Sequence, residues 1–332
     1  MSRARFFVVR SIQTVFLLWV AFTGLFFFFR FMPGDFTNLM LAEGANPDAV
    51  AEFEERWGLN DPLYVQYWRY FMNILSGDAG MSIQFRRPVW DMVNTRIFNS
   101  FILIAPGITF AYLLGSIYGS IVGTKRGSKL EEYGILPLIF VGSVPAFVTS
   151  IILVIIFSSW LNLFPTSGMI SPGRQAEFAQ LEWYQRYLSL EFIWHFILPF
   201  TAVMFRYLYL PTMIMRTSIV EVMGQGFAFF HRITGISKRR QLAHLARHAS
   251  LPVITVYPIS MTRALGGLVL IEVVFNWPGI GNTLVNAVMV RDLPIIQFVF
   301  FLVAAYIILA NFVVDIVYGI IDPRVSVGAE DT

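Results

Sequence analysis

The sequence predicts an all-α polytopic membrane protein, and three observations carry that reading. Hydrophobic residues make up 56% of the chain and charged residues only 14%, against roughly 25% charged in an ordinary globular domain. The mean hydropathy of +0.64 arises from apolar stretches spread along the chain, not from one leader-like segment. Six of these stretches reach the length that a helix rising 1.5 Å per residue needs to cross a hydrocarbon layer about 30 Å thick.

The first apolar run, 12–31, exceeds the core of a typical signal peptide and ends in Arg30-Phe31-Met32-Pro33 without a small-residue cleavage pattern; it reads as a retained anchor. An outer segment, 33–96, follows. Its helix-like stretches at 48–57 and 64–75, between Gly-rich breaks, predict a small extracytoplasmic cap. The second span, 98–122, carries Gly115, Gly119 and Gly123, with Gly127 beyond, at four-residue intervals. Such a stripe lets another helix approach closely. The third and fourth spans are 135–160 and 192–215, the fourth interrupted by Pro199 and Pro211. An inner segment, 216–250, is basic and broken by Gly224, Gly226 and Gly235, and reads as two or three short surface helices. The fifth and sixth spans are 251–275 and 295–321. No repeat of 20 to 50 residues divides the chain, so 1–332 is read as a single transmembrane domain.

Six spans place both termini on one side, and Lys and Arg decide which. Thirteen of the 24 fall on the side of the N-terminus, among them Arg3, Arg5, Lys125, Lys129, Arg239 and Arg247. Eight fall on the other side, most in a loop too long to weigh heavily. Both termini are predicted to be cytoplasmic. Trp57, Trp68, Trp90, Trp160, Trp183, Trp194 and Trp277 all fall in outer loops or at outer span ends, where an amphipathic ring is stable.

Most catalytic classes are excluded by what is missing. The net charge of +3 is too small to argue for nucleic acid, and without cysteine there is no disulfide framework, thiolate metal site or cysteine nucleophile. The nearest approach to a phosphate-binding loop, Gly123-Thr-Lys-Arg-Gly127-Ser-Lys129, has the wrong spacing. His244 and His248 have the helical spacing of a zinc protease, but Leu245 stands where the general-base Glu belongs. The chain is read as non-catalytic, with no metal and no cofactor of its own. Ionisable residues within spans cost about 2.5–3.5 kcal/mol on insertion scales and mark a cavity or a partner. Arg206 and Arg263, near mid-span, are candidates for a translocation path; Glu272 and Asp315, nearer span ends, read as structural.

The motifs Glu272-Val-Val-Phe275-Asn-Trp277-Pro278-Gly279-Ile280-Gly281, Arg291-Asp292-Leu-Pro294 and Asp315-x-x-Tyr318-x-x-x-Asp322-Pro323-Arg324 carry a resemblance. Weaker matches are Pro33-Gly34-Asp35, Asp61-Pro62-Leu63, Gly77-Asp78-Ala-Gly80, Pro145-Ala-Phe147 and Phe164-Pro165-x-Ser167-Gly168. Over nearly its whole length the chain resembles the first of the two permeases in ABC importers for dipeptides, oligopeptides and nickel. That resemblance implies the type I importer permease fold, and Glu272, Pro278, Gly279, Gly281, Asp292, Asp315 and Asp322 as its structural signature.

The resemblance further implies an ATPase-coupling segment, here Phe229, Phe230, His231, Arg232, Thr234, Gly235, Lys238 and Arg239. The implied partners are a second homologous permease, two ATPase subunits holding ATP and Mg²⁺, an extracytoplasmic solute-binding protein and membrane lipid, all at the inner membrane. The expected cargo is a di- or oligopeptide, with nickel or an oligosaccharide as the alternative. The chain departs from the family pattern at His231-Arg232-Ile233-Thr234, where small residues are usual, and at Phe98 and Ser100, which replace the Pro and Thr of Pro-Asn-Thr. A channel or a secondary transporter would share the span count. Yet the sequence has neither a filter-like re-entrant stretch nor paired broken spans in related halves.

Overall fold

A computed structural model describes residues 3–31, 41, 47, 50, 51, 54, 55, 58 and 60–321. Contacts divide the chain into two compact units, Met1–Ile97 with Thr283–Phe312 and Asp322–Thr332, and Phe98–Asn282 with Val313–Ile321.

In the first unit, α1 (Arg3–Arg30) carries arginines toward both ends and is mostly apolar between Val15 and Phe29, and α2 (Leu63–Leu75) is amphipathic. An aromatic cluster joins them: Phe22 stacks on Tyr70 with centroids 5.0 Å apart and meets Phe71 and Phe301 edge-on at 5.4 and 5.7 Å. The Thr23 and Tyr67 hydroxyls share a hydrogen bond of 2.8 Å. Phe301 belongs to α14 (Leu293–Ile321), so this cluster ties the first helix to the last. The expected helix at 48–57 and the motif Pro33-Gly34-Asp35 lie largely or wholly outside the described residues, as does Asp322-Pro323-Arg324.

The second unit is built around α8 (Leu190–Met223), whose 34 residues extend about 50 Å at helical rise. It packs against α4 (Lys129–Ser143), α5 (Ala146–Leu153), α10 (Lys238–Ala249) and α11 (Leu251–Gly267). Leu103, Ile108, Val203, Ile219, Ile271 and Phe275 belong to its buried core. α3 (Val89–Thr124) begins in the first unit and continues in the second. Two short helices, α6 (Gln175–Gln180) and α7 (Trp183–Leu188), precede α8; α9 (Gly226–Ile233) and α12 (Val269–Val274) complete the unit.

Among the described residues, four helices are long and apolar enough to cross a bilayer: Arg5–Arg30, Val89–Thr124, Leu190–Met223 and Leu293–Ile316. The expected continuous span 135–160 is corrected to two pieces, α4 and then α5 with its π-helical extension Val154–Trp160, bent by 104°. The cause is Pro145. A residue before proline is driven out of the α region, and Val144 has ψ 134° and ends α4. The fifth run, 251–275, is helical with one break, at Leu268, after Gly266-Gly267.

α13 (Ile280–Met289) follows the Pro278-Gly279 turn, where no helix was expected. The inner segment holds two helices, α9 and α10. It starts later than expected, because α8 continues helical to Met223.

Candidate functional site

The signature at 272–281 is a closed hydrogen-bond knot. α12 ends at Val274, and Asn276 takes the left-handed conformation, φ 44°, which Asn tolerates better than most residues. The chain then reverses through Trp277-Pro278-Gly279. Glu272, 2% exposed, folds its carboxylate onto the start of α13: Oε2 accepts from the Asn282 N–H at 3.0 Å, and Oε1 accepts from the Ser100 hydroxyl at 2.5 Å. Ser100 Oγ in turn accepts from the Ile280 N–H at 2.8 Å. A carboxylate at a helix N-terminus satisfies amides that have no partner within the helix and opposes the positive end of its dipole.

Asn99 completes the knot. Its Nδ2 donates to the Pro278 carbonyl at 2.8 Å, its carbonyl accepts from Trp277 Nε1 at 2.9 Å, and Tyr187 donates to its Oδ1 at 2.7 Å. A Cβ at position 279 would collide with the Glu272 carboxylate, and one at 281 would lie 2.8 Å from the Val269 Cα. Ser100 therefore supplies the hydroxyl that the family's Thr would bring. Phe98, in place of the usual Pro, packs edge-on against Tyr187 at 4.9 Å.

Asp292 does a similar task in the first unit. Fully buried, it accepts from the Ser82 hydroxyl and from the Ile83 and Gln84 N–H groups at 3.4 and 3.3 Å, pinning the outer segment ahead of α14. Asp315 is half-buried, and Asp322 lies outside the described residues.

In the segment after α8, α9 has two faces. Ala228 is buried, and the Phe227 ring lies 4.7 Å from that of His248 on α10. Phe229, Phe230 and Ile233 are 61–63% exposed. Thr234 ends the helix, its N–H and hydroxyl both donating to the Phe230 carbonyl at 3.0 and 2.8 Å. Gly235 follows at φ 69°, a left-handed closure that glycine adopts without steric penalty. Gln241 Nε2 donates to the Ile236 carbonyl at 2.7 Å and braces the turn into α10. Lys238 and Arg239 are exposed at the start of α10, whereas the side chains of His231 and Arg232 lie outside the described residues.

The glycine stripe faces α8. A Cβ on Gly115 would lie 2.9 Å from the Leu208 carbonyl, and one on Gly123 2.9 Å from that of Arg216. At Gly119 it would run into the Thr212 carbonyl. The stripe extends further than its sequence reading, since a Cβ on Gly107 would meet Val203 at 2.6 Å and Ala111, fully buried, occupies the intervening position. The sequence reading also missed an ion pair at the Gly123 end of the stripe: Glu131 accepts from Arg216 Nε at 2.8 Å and from the Gly127 N–H at 2.6 Å.

Arg206 and Arg263 are both exposed, near the middles of α8 and of 251–275. Arg206 lies 5.9 Å from the Tyr207 ring centroid.

Comparison with known proteins gives this arrangement its family. Residues 111–327 match the model of the binding-protein-dependent transport system inner membrane component, and residues 3–99 match that of the N-terminal part of such membrane components. The chain is 30% identical over 332 residues to the dipeptide transport system permease protein DppB of Escherichia coli K12, covering 96% of this chain and 98% of that protein. It is 34% identical over 306 residues to the di/tripeptide transport system permease protein DppB of Pseudomonas aeruginosa, covering 89% and 91%. With the oligopeptide transport system permease protein AppB of Bacillus subtilis it shares 30% over 297 residues, 89% and 90% of the two chains. The chain belongs to the family of binding-protein-dependent transport system inner membrane components, the non-catalytic, multi-pass permease subunits of ABC importers.

Proposed function

We propose that this chain forms half of the translocation path of an importer for di- or oligopeptides. It shares the path with a second, homologous permease and receives cargo from an extracytoplasmic binding protein. ATP and Mg²⁺ are handled by two ATPase subunits, which engage Phe229, Phe230, His231, Arg232, Thr234, Gly235, Lys238 and Arg239 at the cytoplasmic surface, and both termini lie on that side. The observation that carries this reading is the exposed apolar face of α9. Phe229, Phe230 and Ile233 project from a helix whose other face is held against the unit's own core, as a partner-binding knob requires. The peptide cargo is supported by the names of the relatives.

Arg206 and Arg263 line the path. An exposed guanidinium at mid-membrane is costly in lipid but suits a polar conduit, and it pairs with the carboxylate that every unblocked peptide carries. The test is ATP-dependent uptake by the complete importer in proteoliposomes, with its binding protein. Labelled di- and tripeptides are compared with nickel and an oligosaccharide. Saturable peptide uptake, lowered by Arg206→Gln and Arg263→Gln, is expected; uptake of nickel or the oligosaccharide without peptide uptake refutes the cargo assignment.

A further inference from the structure

Behind α9, on the side away from Phe229 and Phe230, the second unit holds an open cavity of about 470 Å³. Its wall comes from the ends of α3 and α8 and from α9 and α10. Ile121, Met223, Leu242 and Leu245 make it apolar, and Lys125 and Lys238 add two positive charges. Leu245 is buried whereas both lysines are exposed, which places the apolar part deep and the charges near the opening.

Neither lysine side chain has a hydrogen-bond or ion-pair partner among the described residues. Glu131, the nearest acidic residue in sequence to Lys125, is already committed to Arg216 and to the Gly127 N–H. The start of α10 adds a third element. Its N-cap, Ser237, makes no side-chain bond to the first turn, so those amides keep their positive partial charge beside Lys238.

A cavity of this size is in the range of a small-molecule site, and its chemistry is that of an anion joined to an apolar body. Position narrows the occupant. α3 and α8 are long and apolar enough to cross a membrane, and both end at this cavity, which points to an opening at the membrane surface. We propose that it binds an acidic phospholipid of the adjoining leaflet, the phosphate between Lys125 and Lys238 and the upper acyl chain along Ile121, Met223, Leu242 and Leu245. A soluble anion would satisfy the lysines but leave the apolar wall wet. A bound lipid would brace α9 from behind, against the load that its exposed face carries. Assignment to the cytoplasmic leaflet rests on the proposed orientation; the binding itself does not.

The experiment uses the complete importer in nanodiscs of phosphatidylcholine, titrated with spin-labelled phosphatidylglycerol, so that neither transport nor topology enters the readout. A lysine at a membrane surface strengthens acidic-lipid binding by about fivefold. Lys125→Gln and Lys238→Gln are each expected to weaken binding by about that factor, and the double variant by about 25-fold. Leu242→Gln should weaken it too. Arg126→Gln, outside the cavity, and binding of labelled phosphatidylcholine should be unaffected.

Unchanged phosphatidylglycerol binding in the double variant overturns the site. Inorganic phosphate displacing the lipid at equal concentration, with Leu242→Gln silent, would mean a soluble anion site and overturns the lipid assignment. Carbodiimide cross-linking of Lys125, which lies outside the ATPase-coupling segment, to an ATPase carboxylate overturns it in favour of a protein partner.

Discussion

Gly119 is the position where the contact between α3 and α8 is most exacting. A Cβ there would overlap the Thr212 carbonyl and lie 3.0 Å from the Met215 Cβ and 3.1 Å from the Arg216 amide nitrogen. Two of these three neighbours are backbone atoms of a helix and cannot rotate away. Restoring ordinary contact requires the helices to part by about 1 Å, and a gap of 0.5–1 Å forfeits a quarter to a half of the dispersion energy of each facing pair. The loss extends along the row from Gly107 to Gly123, because the two helices move as rods. In a membrane protein this packing is the main force between helices, since lipid already satisfies apolar surface.

Gly119→Ala should therefore cost about 1–3 kcal/mol, the range for overpacking, and Gly119→Leu should prevent recovery of a folded subunit. Gly24→Ala is the control, because nothing lies within 4 Å of a Cβ at that helical position; it should be neutral or slightly stabilising. The assay is the thermal midpoint of the detergent-solubilised subunit, followed by tryptophan fluorescence. A Gly119→Leu subunit that melts with the wild type would refute close backbone packing there.

At the signature knot, Ser100→Ala leaves the Ile280 amide without its acceptor and should cost about 1–3 kcal/mol, the range for an unsatisfied buried group. Combined with Glu272→Gln it should lose less than the sum in a double-mutant cycle of thermal midpoints, whereas strict additivity would mean the two do not act together. For topology, the cysteine-free chain suits scanning with an impermeant thiol reagent: Gln175→Cys should label from outside intact cells and Ser237→Cys only after lysis, the reverse pattern contradicting cytoplasmic termini. Gly235→Val places a β-branched residue at φ 69°, a strain of about 1–3 kcal/mol. It should spare membrane insertion but abolish peptide uptake and transport-stimulated ATP hydrolysis, while Gly235→Asn, tolerant of that conformation, should retain much of both; normal uptake by Gly235→Val removes the turn from the coupling mechanism.

What could be read from the sequence was local. Apolar runs marked where helices cross, and the glycine interval of four named a packing face, because both signals live within one helix. Pairings between distant residues carry no such signal. Nothing in Glu131 or Arg216 announces that they meet, and the Ser82 hydroxyl and Asp292 are 210 positions apart. α13 was missed for a different reason: Pro278-Gly279-Ile280-Gly281 has turn composition, and its helix is started by a carboxylate eight residues before Ile280 instead of by a neighbouring cap. Pro145 was legible as a motif residue, but its effect on Val144 could have been anticipated from the proline rule alone.

The clamps on α8 bear on where a conformational change can be absorbed. From Val203 to its C-terminus it is held by the glycine interface, by the Glu131–Arg216 pair and by α10, through buried Leu245 and Ala249. Its N-terminal end is held by His195, whose Nδ1 donates to the Gly168 carbonyl at 3.1 Å while the Gly168 N–H donates to the Phe275 carbonyl at 2.7 Å, joining α8 to the signature knot. Pro199 stands between the clamps and Pro211 within the glycine interface, against Gly115; each removes one hydrogen bond from the helical ladder. Bending in a helix concentrates at such positions, so a load delivered through α9 and α10 to the C-terminal end of α8 would be taken up at Pro199, before the glycine interface gave way. Arg206 lies between the two prolines, on the stretch of α8 that Gly107 and Gly115 of α3 back, so it would move with that rigid pair when α8 bends at Pro199.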